Sequence, residues 1–145
     1  MLTRKKTNFL TALSLIIVSA TCFAFTVRNG GEGYEIYLDN KVVLQQYGKQ
    51  MDEVKNLPLT NAYANTSLAI RYFHCGKNGT GRTVSIRNQK NIVLKQWRYG
   101  DTGVMLTCNV NDITGLQNTV NGPLQLFYTS NELPAGRTLA IITGE

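Results

Sequence analysis

Between Arg82 and Tyr99 the chain leaves itself few ways to fold. Arg82-Thr83-Val84-Ser85-Ile86-Arg87 alternates polar and apolar side chains, the period of a half-buried strand. Asn88-Gln89-Lys90-Asn91 follows, and asparagine tolerates the left-handed backbone of tight turns. Ile92 to Tyr99 is then rich in β-branched and aromatic residues. Two such runs around a short polar turn predict a hairpin. Ahead of it, Leu68 to Cys75 predicts another strand, with Leu68, Ile70, Tyr72 and His74 on one face and Ala69, Arg71, Phe73 and Cys75 on the other.

The same alternation recurs along the chain. Tyr34–Leu38 and Val42–Tyr47 form a second predicted hairpin around Asp39-Asn40-Lys41. Val54–Thr60 is a short strand that Pro58 assigns to a sheet edge, because proline donates nothing to a ladder. Gln50 to Asn56 before it sets Met51, Val54 and Lys55 at the spacing of one helical turn, but a loop is the preferred reading. Val104–Val110 predicts a strand with Val104, Leu106, Cys108 and Val110 on one face. Asn111 caps one short helical turn, and Leu124–Thr129 and Arg137–Thr143 close the series. Short strands at regular spacing with Gly, Asn and Asp turns predict an all-β fold: a single antiparallel β-sandwich of roughly eight strands, immunoglobulin-like or jelly-roll-like. Its expected core is Ile36, Leu38, Leu44, Leu68, Ile70, Tyr72, Val84, Ile86, Leu94, Leu106, Leu126, Leu139 and Ile141.

The N-terminus has a different grammar. Arg4, Lys5 and Lys6 precede an apolar run from Phe9 to Val18 and a small-residue end, Ser19-Ala20-Thr21-Cys22-Phe23-Ala24. That is the pattern of a secretory signal peptide. Cleavage after Ala24 makes residues 1–24 the signal and 25–145 the domain; cleavage after Ala20 is the alternative. The apolar run is short of the roughly 20 residues of a spanning helix, so a membrane enters only through this segment if it is left uncleaved. Thr21 stands where lipid-modified signals carry Gly, Ala or Ser before their cysteine. The expected location is outside the inner membrane, in the periplasm or at the cell surface. From residue 25 onward twelve bases face nine acids, a net charge of +3. The bases are spread along the strands, so the clustered footprint of a nucleic-acid binder is missing.

Two cysteines follow Ala24. In an exported chain Cys75 and Cys108 invite a disulfide. Strand parity opposes it, since Cys108 shares a face with Leu106 while Cys75 shares one with Arg71, unless a bulge near Gly76 resets the phase. His74 and Cys75 are neighbours on a strand and point apart, which is wrong for a nucleophile and its base. With one histidine, a Ser-His-Asp triad has no spare base. His74, Cys75 and Cys108 lack the spacing of a zinc site. The loop Gly76-Lys77-Asn78-Gly79-Thr80-Gly81 leads into a strand, whereas a phosphate loop leads into a helix. The acids form no DxDxDG calcium pattern, and no motif pairs two of them for glycoside hydrolysis. The expectation is a protein without catalytic residues, cofactor or metal.

Aromatics remain. Tyr37, Tyr47, Trp97 and Tyr99 are the candidate binding face, able to stack on sugar rings or to anchor a protein interface. The expected partner is an envelope protein or a surface glycan.

The stretches GYEIYLDNKVVLQQYGKQ (33–50), IRYFHCGKNGTGRTVSIRNQKNIVLKQWRYGD (70–101) and ELPAGR (132–137) together resemble a group of small exported proteins of unassigned role from Bacteroidetes-type bacteria. The resemblance implies export across the inner membrane and a compact β domain, and it brings no activity. Val84 to Gln96 and Leu133-Pro134-Ala135-Gly136 are also similar to the strand–turn–strand and the last turn of the C-terminal sorting domains of type IX secretion cargo. Arg137-Thr138 departs from the aliphatic–Tyr pair of that family. This second resemblance implies a sorting role.

Overall fold

The computed structural model describes residues 31–144; the expected signal segment 1–24 lies outside them. The chain is mostly β, with two sheets packed on a shared core. In order the elements are β1 (Gly33–Leu38), β2 (Lys41–Tyr47), β3 (Lys55–Pro58), β4 (Ser67–Phe73), β5 (Thr83–Arg87), β6 (Val93–Arg98), β7 (Leu106–Asn109), α1 (Val110–Thr119), β8 (Leu124–Thr129) and β9 (Arg137–Thr143). One sheet has the order β2-β1-β4-β7, the other β3-β9-β8-β5-β6. Among the described residues there are nine strands, against the expected eight. They are not all antiparallel, because β3 runs parallel to β9.

Local chemistry sets the turns. Asp39 and Asn40 both take positive φ, 50° and 61°, the two-residue hairpin loop that matches strand twist. At the β5–β6 turn the Asn88 side chain accepts hydrogen bonds from the Lys90 and Ile92 amides, at 2.9 and 3.0 Å. Pro58 ends β3 on the outermost position of its sheet, where its missing N–H leaves no ladder bond unmade.

Three bulges account for most departures from simple alternation. Register skips Val43 in β2, Leu94 in β6 and Leu139 in β9. A bulge adds one residue and resets which face the following side chains take. Leu139 and Ala140 are therefore both buried and Ile142 follows them inward, while Ile141, expected in the core, is only half-buried. Leu94 is likewise half-buried against the core. The other expected core residues are buried, joined by Tyr34, Met51, Leu57, Leu59, Cys108, Val110, Ile113, Leu124 and Tyr128. Met51 is held inside by a 3-10 turn, Gly48–Asp52, in the stretch expected as a loop.

The largest local difference lies after β7. The expected strand to Val110 stops at Asn109, and a ten-residue helix replaces the single turn. Its cap is Asn109, two residues earlier than expected: the side chain accepts from the Asn111 amide at 2.9 Å, the usual role of asparagine at that position. Val110, Ile113 and Thr114 face the core. No helix among the described residues is long and apolar enough to cross a membrane.

Candidate binding face

The outer face of the first sheet is built from the alternate residues of three neighbouring strands. Register places them in rows: Val42, Tyr37 and Ala69; then Gln45, Glu35 and Arg71; then Tyr47, Gly33 and Phe73. Residues opposite one another in a row share a face. Their inward neighbours Tyr34, Ile36, Leu38, Leu68, Ile70 and Tyr72 are all buried, so this set has solvent on its far side.

The middle row holds the face together. Glu35 accepts hydrogen bonds from the hydroxyls of both Tyr37 and Tyr47, and Arg71 Nη1 lies 3.9 Å from its carboxylate. Burial works to raise the Glu35 carboxyl, but the two hydroxyls and the guanidinium outweigh it and hold the group below the usual carboxylate range. Partial burial and the bond to Glu35 push Tyr47 up to about 12. The Tyr37 hydroxyl is raised first by its hydrogen bond to Glu35. Both tyrosines therefore stay neutral donors. Arg71 stacks its guanidinium 4.5 Å from the Phe73 ring centre, and Phe73 meets Tyr47 at 6.1 Å between centroids. Gly33 makes room for this: a Cβ there would collide with the Tyr47 ring, so only glycine lets that ring lie over the strand.

Tyr37 and Tyr47 thus belong to this face, but Trp97 and Tyr99 do not join them. Trp97 pairs with Val84, whose side chain is in the core, so the indole turns inward on the opposite sheet. Lys95 covers it, with Nζ 5.5 Å from the ring and 2.9 Å from Asp112 of α1. The Tyr99 hydroxyl donates to the Thr107 carbonyl at 2.8 Å, tying the end of β6 to β7, and burial raises it strongly. Glu35, Arg71 and Phe73 were not among the candidates. Their signal was available: Arg71 and Phe73 share strand parity, and Glu35 shares it with Tyr37.

The Cys75–Cys108 bond that the sequence leaves open is not formed; both cysteines are free. Cys108 lies opposite Leu68, and Cys75 follows seven residues later, beyond the other end of β4. At roughly 3.3 Å per residue that is about 20 Å of strand, against the 7 Å limit between bonded Cα atoms. Cys75 is exposed in a turn at φ 50°. Cys108 is buried, and burial pushes its thiol up to about 11.

His74 ends in a satisfied network. Its Nε2 lies 2.9 Å from the Tyr128 hydroxyl and 3.1 Å from Ser130 Oγ, and burial lowers its pKa against the opposing charges of Glu132 and Glu32. Tyr128 stacks on Tyr72 at 4.3 Å, joining the two sheets. In the glycine-rich loop, the Thr80 amide and hydroxyl both donate to Glu132 at 2.9–3.0 Å, and the Gly81 amide donates to Asp101 at 2.9 Å. The Thr80 and Gly81 donors are thus occupied by the chain's own carboxylates. Among the described residues no three His, Cys, Asp or Glu side chains group as metal ligands. An open cleft of about 740 Å³ between the end of α1 and the end of β9 is lined by Asn61, Gln117, Asn118, Asn121 and Thr143.

No protein-family model, no curated protein and no solved structure matches the chain.

Proposed function

We propose that the chain is an exported, non-enzymatic binding domain of the cell envelope, an interaction subunit that docks a protein through the outer face of its four-stranded sheet. One observation carries this reading: Tyr37, Tyr47, Phe73 and Arg71 are gathered around Glu35 on a solvent-facing sheet. Tyrosine and arginine are the residues enriched in interface hot spots. Here each is already held by a neighbour, so little side-chain freedom is lost on docking. The exposed Val42 and Val43 extend the apolar area to the sheet edge. Export rests on the basic start and apolar run of residues 1–24. The same reading takes the two packed sheets as a sandwich of the immunoglobulin-like or jelly-roll-like kind.

The test is mild cross-linking on native cells, with wild-type protein compared to a Tyr47→Ala, Phe73→Ala double variant. The expected result is one dominant protein adduct that falls at least tenfold in the variant, about 1.4 kcal/mol or more of lost docking energy. Adducts of unchanged pattern and yield overturn the reading.

A surface glycan is the second reading, favoured by the three aromatic rings on one face, since such rings stack on apolar sugar surfaces. It predicts retention of the protein on an insoluble polysaccharide, abolished by the same double variant.

A further inference from the structure

We infer that the partner docked on this face is a second copy of the same chain, related by a two-fold axis lying in the face, parallel to the strands, between β1 and β4. The inference rests on the docking reading above. Two-fold pairing is the commonest assembly of soluble chains, and it requires a patch that complements itself.

The rows meet that requirement. Rotation about such an axis brings each β1 residue over the β4 residue of its own row. Register pairs Glu35 with Arg71, Tyr37 with Ala69 and Gly33 with Phe73. In the dimer Glu35 therefore faces Arg71 of the second copy, and the reciprocal contact repeats it, giving two opposite-charge contacts beside the axis. Tyr37 faces Ala69, a large side chain over a small one, again twice. Phe73 comes over Gly33, where the Tyr47 ring already lies, and the contact there is aromatic on aromatic. Like charges meet nowhere in these three rows.

Arg71 is the more open of the two residues nearest the axis. Its side chain is 42% exposed, against 15% for Glu35. Packed sheets cross at about 30°, so the match is closest at the axis, where Glu35 and Arg71 lie. Four strands of about five residues present a face of roughly 20 by 17 Å. At about 340 Å² per copy that is less than half of the roughly 800 Å² a partner buries in a stable interface, so the pairing is weak and the dimer forms and dissociates with concentration.

Sedimentation velocity on the protein as isolated, from roughly 10 μM to 1 mM, tests this. The expected wild-type result is a monomer that becomes dimer across the range. Glu35→Arg gives a copy with two facing positive charges and Arg71→Glu one with two negative charges, and each alone stays monomeric. Mixed in equal amounts, the two variants pair, because each positive row now meets a negative one. Ala69→Gln, which leaves both charged residues in place, also stays monomeric by filling the seat of Tyr37.

A wild type that remains monomeric at the highest concentration overturns the inference, as does a mixture of folded variants that fails to pair. If the wild type is monomeric and Tyr47→Ala, Phe73→Ala still abolishes capture of another protein, the second copy is wrong and the docking reading stands. If those substitutions change nothing at all, both fall.

Discussion

Ile141 and Ile142 are adjacent and chemically identical, and the Leu139 bulge gives them opposite fates. Strand parity counted from Leu139 puts Ile141 in the core. The extra residue in β9 puts Ile142 there instead, fully buried, with Ile141 on the outer side and half-covered. Ile142→Ala removes three buried carbons, about 2.5 kcal/mol at 0.8 kcal/mol per methylene. The cavity left in a close-packed interior brings the loss to about 3–4 kcal/mol. Ile141→Ala removes the same atoms from a half-wet surface and costs about 1 kcal/mol. With a urea slope of about 1.5 kcal/mol/M, the unfolding midpoint falls by about 2 M for Ile142→Ala and by under 1 M for Ile141→Ala. Leu139 is uninformative because both registers bury it. Ala140 gives the complementary check: Ala140→Met overpacks the core by about 1–3 kcal/mol only if the bulge is present. Equal losses at 141 and 142, or a larger loss at 141, would refute the bulged register and the reasoning built on it.

Two other outcomes follow from groups outside the binding face. The backbone amide of Thr80 leads the causes that hold the Glu132 carboxyl at about 2, against 4.5 for a free one. A carboxyl lowered by folding contributes stability above its unfolded value, and that contribution is lost as pH falls through the folded one. Amide exchange at Thr80, taken relative to the intrinsic rate at each pH, should therefore accelerate between about pH 5 and pH 2 in wild type. In Glu132→Gln it should be faster already at neutral pH and flatter; an identical profile in the two proteins would sink the latch. A thiol reagent at pH 8 should modify Cys75 in the native protein and reach Cys108 only on unfolding. Cys108 is buried, and with its thiol near 11 only about one part in a thousand is thiolate. Equal native rates, or a linked Cys75–Cys108 peptide in a non-reducing digest, would contradict the structure.

What could be read in the sequence was what neighbours decide. Asp39-Asn40 and the Asn88 turn were legible because their backbone shapes depend on the residues themselves, and Pro58 announced an edge because it lacks a donor. What could not be read depends on distant partners. No residue type marks Leu94 or Leu139 as the extra member of its strand. Val110 continues the alternation of Leu106 and Cys108, so helix and strand predict the same burial for it. Trp97 and Tyr37 look alike as exposed-strand aromatics until pairing with Val84 turns one inward and pairing with Ala69 turns the other outward. Nothing beside Gly33 in the sequence marks its role, though its missing side chain is the space the Tyr47 ring fills.

The bulges bear on crowding as well as on register. Val43 and Leu94 lie on β2 and β6, each the outermost strand of its sheet, while the opposite edges are the four-residue strands β3 and β7. A straight, unbroken outer strand is a template on which copies add without limit toward fibrils, and kinks and short edges deny them that template. Growth edge to edge is therefore interrupted on every side, and the pairing proposed through the flat of a sheet would close after two copies. Removing Val43 would straighten β2 and give the chain a route to open-ended polymer.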